Sequence, residues 1–258
     1  MLSKNQIKFV NSLKQKKFIQ EHNLFIAEGT KIVSELLNSK VTVKQIYGTS
    51  DFFRNTIIDK QIERFEIKAT ELDRISALST PNEVLAVCEI PVYELKTDAL
   101  KGKLTLVLDD IKDPGNLGTI IRIADWFGIE SIICSNETAY AFNPKVVMAT
   151  MGSIARINLH YTNLPDFFKD QISSVEKVRI FGALLDGESI YSKQLSSNGF
   201  IIIGNESKGI SENLLPFISD KINIPSFSHF KTGGGEAESL NAAIATSIIC
   251  SEFRRREK

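Results

Sequence analysis

From residue 104 onward, short and nearly continuous apolar runs alternate with longer segments whose apolar positions recur at helical spacing. The runs Leu104–Leu108, Ser131–Ser135, Ile157–Tyr161, Val178–Leu185, Phe200–Gly204 and Ile222–Ile224 predict strands. Helices are predicted from Leu117, near Pro144–Thr150, Leu164–Val175 and Ser211–Phe217, and from Ser239 onward. Strands that are apolar on both faces and separated by helices imply a mostly parallel sheet covered on both sides. The first hundred residues read differently. Ile7, Val10 and Leu13 mark a first helix, a turn falls at His22-Asn23, LFIAE is strand-like, and Ile32, Val33, Leu36 and Leu37 mark a second helix capped by Thr30. Strand-like VKQIYGT, RFEIKAT and VLAVCEI follow, with short helical candidates at Ile57–Arg64 and Thr70–Ala77. The polar stretch Tyr93–Lys103 reads as a linker, so an α/β unit over 1–96 and a larger α/β domain over 103–258 are expected.

Composition narrows the classes. Lys+Arg and Asp+Glu are 31 each in 258 residues, so a case for nucleic acid has to be local. Cys88, Cys134 and Cys250 lie far apart with no Cys-x-x-Cys pair, and His22, His160 and His229 are equally scattered. Neither a disulfide framework nor a metal site is expected. The basic N-terminus has no long apolar core, and no apolar run spans a membrane; a soluble, cytoplasmic protein is the expectation.

Three segments leave strands with unusual loops. In DDIKDPGNLGTIIR, Asn116, Gly118 and Arg122 interrupt apolar text, and an arginine buried there needs something negative, either a ligand or Asp109 or Asp125. Asn116 read alone is equally a helix cap. In GNESKGIS, Gly204 and Gly209 have phosphate-loop spacing, but Lys208 comes two positions early and Ile210 stands where lysine is required. Read alone, this is a turn before a helix with Ser211 as N-cap. The third segment is INIPSF followed by AESLNAAIATSIIC, where Ser239 reads as a helix cap. A dinucleotide-binding glycine motif is missing after the first strand of the larger domain, which argues against an ordinary Rossmann enzyme.

Taken together, Asn116-Leu117-Gly118-Thr119-Ile120-Ile121-Arg122, Gly204-Asn205-Glu206-Ser207-Lys208-Gly209-Ile210-Ser211, and Ile224-Pro225 with Glu238-Ser239-Leu240-Asn241 resemble the ordered motifs of the SpoU (TrmH-like) branch of the SPOUT RNA 2'-O-ribose methyltransferases. Met151-Gly152-Ser153 matches a further landmark, and SKNQIKFVNSL with LFIAEGTKIVSELL is similar to the family's substrate-binding domain, akin to RNA-binding ribosomal proteins. The resemblance implies a deep trefoil knot in the C-terminal domain and S-adenosylmethionine as methyl donor. It places Ala183, Leu184, Gly204, Asn205, Gly209, Ile224, Pro225, Ser239, Leu240 and Asn241 around that cofactor. It makes Arg122, Asn116, Glu206 and Asn241 the catalytic set, with Asn116 folding back on the guanidinium, and it implies a homodimer through the C-terminal domain.

Lys4, Lys8, Lys14, Lys16 and Lys17 precede the first acidic residue and form a candidate RNA patch together with Arg122; a solvated amphipathic face is the alternative. Arg254, Arg255 and Arg256 are a second basic cluster. The chain departs from the family where an arginine is common near Phe18, and in the glycine-rich 226–238 stretch, which reads equally as a lid or as disordered filler. The expected activity is methyl transfer to a ribose 2'-hydroxyl of RNA, ribosomal RNA first. Transfer to tRNA, or a non-catalytic RNA-binding or assembly factor, are the alternatives.

Overall fold

The computed structural model describes residues 1–78, 80–172, 178–227 and 239–255, without the side chains of Thr97 and Ile172. The end of the helix predicted to Val175, most of the 226–238 stretch, Glu238 and Arg256 lie outside those residues. The chain forms two compact units, Met1–Val92 with Tyr140–Arg156, and Tyr93–Ala139 with Ile157–Lys258. No helix among the described residues is long and apolar enough to cross a membrane.

The first unit holds helices α1 (Lys4–Ser12), α2 (Lys16–His22), α3 (Thr30–Leu37), α4 (Ser50–Asn55) and α5 (Ala69–Leu72), with strands β1 (Leu24–Glu28), β2 (Val43–Gly48), β3 (Glu63–Glu66) and β4 (Val84–Glu89). The sheet runs β1-β4-β2-β3, and only β2 and β3 are parallel. Ser3 and Gln6 cap α1 reciprocally, a capping box at the start of the chain. The helix predicted over Ile57–Arg64 is absent. Glu63–Glu66 pairs with Gln45–Gly48 instead, and Ile57 is fully exposed, so no core rewards a helix there. Thr49 caps the unforeseen α4 by accepting from the Phe52 N–H.

The second unit holds α6 (Thr97–Leu100) and α7 (Pro114–Trp126), with strands β5 (Leu104–Leu108) and β6 (Ser131–Ser135). The helix α8 (Pro144–Ala149) then falls in the first unit, and the second unit resumes with β7 (Asn158–Thr162), α9 (Leu164–Ile172), β8 (Ile180–Ser189), β9 (Gly199–Ile203), β10 (Asp220–Asn223) and α10 (Ala242–Arg255). All neighbours in the order β10-β8-β9-β5-β6-β7 are parallel, as continuous apolar strands require. The predicted Ser211–Phe217 helix is a 3-10 helix over Glu212–Phe217 with Pro216 inside it. Cys134 and Cys250 are buried and unpaired, and burial pushes both thiols up to about 12.

The chain leaves β6 for the first unit before returning as β7, a division that a boundary at 96–103 does not contain. Packing explains it. Phe142 lies 5.1 Å from Phe25, Val146 and Val147 are buried, and Arg156 pairs with Glu35 at 2.6 Å. Gly152 has φ +99°, and a Cβ there would lie 2.8 Å from Glu35 Cβ and Cγ. Gly152→Ala is expected to cost about 1–3 kcal/mol in urea denaturation, from backbone strain plus the clash. An unchanged midpoint would contradict this docking.

Candidate active site

The carboxyl ends of the central strands are stitched by polar contacts. Asp109, 5% exposed after β5, accepts the Ser211 N–H at 2.7 Å. Asp110 has φ +59°; its N–H donates to Ser135 Oγ at 3.0 Å and its carbonyl accepts from Asn205 Nδ2 at 2.8 Å. Asn205 Oδ1 accepts from the Ser207 and Lys208 N–H groups at 2.9 and 3.1 Å, and Asn205 and Gly209 exchange backbone bonds across the loop. The loop after β9 is thus a closed turn tied to the loop after β5.

The Pro-Gly pair is not a free turn. Asp113 Oδ1 accepts the Asn116 N–H at 2.8 Å and caps α7, with Pro114 in the first turn, where its missing N–H costs nothing. This corrects the cap reading of Asn116, whose side chain is left for other work. Its Nδ2 donates to Glu206 Oε1 at 2.6 Å, and its Oδ1 accepts from Asn241 Nδ2 at 2.8 Å. Asn241 Oδ1 accepts from the Ala243 and Ile244 N–H groups at 3.0 and 3.2 Å, so Asn241, not Ser239, caps α10. Because two helix N–H groups demand an oxygen at Asn241, its amide nitrogen must face Asn116, whose own nitrogen must then face the carboxylate. The orientation of the whole chain follows from one helix end.

Beside this chain opens a cavity of about 780 Å³ at the carboxyl ends of β9 and β10 and the middle of β8. Of the predicted cofactor residues, Ala183, Leu184, Gly204, Asn205, Gly209, Ile224, Ser239 and Leu240 line it; Pro225 and Asn241 are not in its wall. Glu206 and Lys208 add a carboxylate and an ammonium. Sequence reasoning missed the apolar floor of Ile203, Ile210, Ile222 and Ile249, which reads simply as core in a linear chain. It also missed Asn223, which lines the cavity and donates to the Leu185 carbonyl at 2.7 Å.

Arg122 is not buried, contrary to its apolar surroundings in sequence. It lies on the exposed face of α7, with no hydrogen bond or ion pair among the described residues. Asn116 does not hold it: six residues of helix turn the two about 120° apart, and the Asn116 amide is already spent. Of the candidate RNA lysines, Lys4, Lys8, Lys16 and Lys17 are exposed, whereas Lys14 is half-buried and donates to the Ser76 carbonyl at 2.6 Å. Burial lowers the Lys14 pKa, partly offset by Glu28.

Comparisons with known proteins bear on the family and the fold. A sequence model of the SpoU rRNA methylase family matches residues 103–251, and one of the MRM3-like substrate binding domain matches residues 4–86. The chain is 31% identical to Bacillus subtilis 23S rRNA (guanosine(2553)-2'-O)-methyltransferase RlmP, across 98% of this chain and 97% of that protein. It is 37% identical to a TrmH-family structure from Porphyromonas gingivalis at a TM-score of 0.86, covering 99% of each chain. It is 30% identical to an AdoMet-bound rRNA methyltransferase from Sinorhizobium meliloti at a TM-score of 0.85, covering 99% of this chain and 96% of that one. With the family's sequence model matched over 103–251 and its three ordered motifs linked by side-chain hydrogen bonds, the chain belongs to the SpoU rRNA methylase family.

Proposed function

We propose that this protein transfers a methyl group from S-adenosylmethionine to a ribose 2'-hydroxyl of ribosomal RNA. The observation that carries the reading is the Glu206–Asn116–Asn241 chain, which pins loops far apart in sequence beside the cavity. The relatives support the substrate: RlmP is a 23S rRNA 2'-O-methyltransferase, and the Sinorhizobium protein is an rRNA methyltransferase with AdoMet bound. The cavity wall fits the cofactor: Leu184, Ile203 and Ile222 offer apolar surface for a purine, Lys208 suits a carboxylate, and Glu206 suits a cation. When bound, S-adenosylmethionine supplies an electrophilic methyl carbon on a sulfonium.

The chain's own task is to position the ribose and favour charge on its oxygen. The role of Arg122 is electrostatic: it stabilises the developing 2'-oxyanion or holds the adjacent phosphate, and an RNA phosphate takes the proton. Glu206, with one oxygen held by Asn116, keeps the other for a bound group. Lys4, Lys8, Lys16 and Lys17 hold RNA phosphates; Lys14, engaged with Ser76, does not. The family membership also supports the deep trefoil knot.

The test is nucleotide-resolution mapping of 2'-O-methyl groups in ribosomal RNA with and without the gene. Loss of methylation at a ribosomal position is expected; an unchanged map overturns the reading. The polar chain has its own test. Asn241→Asp keeps the α10 cap but removes the donor to Asn116, and an Asn116 flip would set its oxygen against Glu206. Stability within about 0.5 kcal/mol of the parent and turnover lowered about ten- to a hundredfold are expected, by thermal melts and single-turnover methylation. Normal turnover would show that the chain is not part of the machinery.

We also infer a homodimer through the face where α7 and α10 pack together. Trp126 is 84% exposed on α7 and Ile244 54% exposed on α10, large apolar groups that water alone does not favour. Arg122 lies one helical turn from Trp126, which puts the catalytic cation at the same face. In sedimentation velocity the parent is expected as a dimer and Trp126→Glu as a monomer; a monomeric parent refutes the assignment.

A further inference from the structure

Many lysines of this protein hold carboxylates: Lys44 with Glu89 at 2.7 Å, Lys103 with Glu130 at 2.7 Å and Lys221 with Asp186 at 2.6 Å are examples. The lysines of α1 and α2 do not. Lys4, Lys8, Lys16 and Lys17 are exposed, and none has an ion-pair partner among the described residues. Two of them lie over aromatic rings instead: Lys16 Nζ is 5.4 Å from the Tyr140 centroid, and Lys17 Nζ is 5.6 Å from that of Phe18.

Phe18 is itself one half of a ring pair. His22, one helical turn later on α2, lies nearly parallel to it, with centroids 6.5 Å apart and planes 16° apart. Phe9 of α1 meets His22 edge-on, 5.5 Å away at 68°. His22 is exposed and the two phenylalanines are half-buried. The result is a short row of rings at the surface, with Lys17 over one of them, on the same two helices as lysines that have no ion-pair partner among the described residues. A protein partner with an apolar face would leave those charges unpaired and desolvated, at a cost. A polyanion whose subunits carry flat aromatic groups satisfies both features at once.

We propose that the His22–Phe18 pair is a stacking platform for an unpaired nucleobase of the RNA substrate, with Lys17 and Lys8 holding the flanking phosphates. This rests on the RNA methyltransferase reading and adds the form of RNA bound by the first unit. A base inside a duplex has both faces occupied by its neighbours, so the platform takes a single-stranded or splayed-out nucleotide. Duplex RNA would engage the lysines alone.

The test uses the full chain and a labelled single-stranded adenosine octamer, alongside the same octamer with its central bases replaced by abasic riboses. The parent is expected to bind the complete strand about 5- to 100-fold more tightly than the abasic one. His22→Ala is expected to remove most of that factor on the complete strand and to leave abasic binding unchanged, and His22→Phe to restore it. Lys17→Gln is expected to weaken both strands alike and to lower the salt slope by about 0.7. A His22→Ala variant that weakens both strands equally, or neither, overturns the platform, as does a His22→Phe variant that fails to restore binding. Methylation of ribosomal RNA by the parent is measured separately. If it proceeds while His22 proves silent, the platform alone falls; if it is absent together with cofactor binding, the functional reading falls.

Discussion

Arg122→Ala is expected to lower single-turnover methylation about 10²- to 10³-fold while S-adenosylmethionine still binds with nearly parental affinity in calorimetry. The separation follows from where the residue lies. The guanidinium is on the exposed face of α7, outside the cavity wall, and makes no hydrogen bond or ion pair among the described residues. Removing it leaves no buried partner unsatisfied, so stability should change by less than about 0.5 kcal/mol. A structural arginine would behave in the opposite way, costing stability and sparing the rate. Turnover close to that of the parent would end the catalytic assignment. Loss of cofactor affinity equal to the loss of rate would move Arg122 from the substrate oxygen to the cofactor.

Gly204→Ala is expected to cost about 2–3 kcal/mol of stability and at least tenfold in cofactor affinity. A Cβ at Gly204 would lie 2.3 Å from the Gly209 carbonyl carbon, 2.4 Å from the Ile210 nitrogen and 2.5 Å from the Gly209 oxygen. Those are backbone atoms of a turn closed by Asn205–Gly209 bonds of 3.0 and 2.9 Å, so the clash cannot be relieved by a side-chain rotation. The loop has to open, and with it the cavity wall from Asn205 to Gly209. Gly209→Ala is the control: its φ of +70° carries backbone strain, but nothing lies within 4 Å of an added Cβ. It should cost only about 1–2 kcal/mol and leave the turn closed. Parental melting and binding in Gly204→Ala would show that the loop adjusts freely.

The parallel sheet was legible because its strands are apolar on both faces, and only burial on both sides favours such runs in water. Leu104–Leu108 and Ser131–Ser135 form strands with the predicted bounds. The start of α7 was misplaced because Asp113-Pro114-Gly115 reads as a turn, whereas Asp113 caps and Pro114 opens the helix. The candidate site was legible as residue types in order, including the Asn116, Glu206 and Asn241 that prove to be bonded in series. Their partners were not. The sequence reading joined Asn116 to Arg122, neighbours along the chain, whereas the structure joins it to residues 90 and 125 positions away.

By itself the sequence determined the class of fold, the order of the three loop motifs and the basic character of the N-terminal helices, because each depends on local periodicity or local charge. Tertiary structure decided the rest. It brought the Tyr140–Arg156 segment into the first unit, set Arg122 in solvent, spent Lys14 on a carbonyl, and aligned Phe9, Phe18 and His22. These outcomes depend on long-range contacts, and which of several permitted partners a side chain meets is settled only when the elements pack.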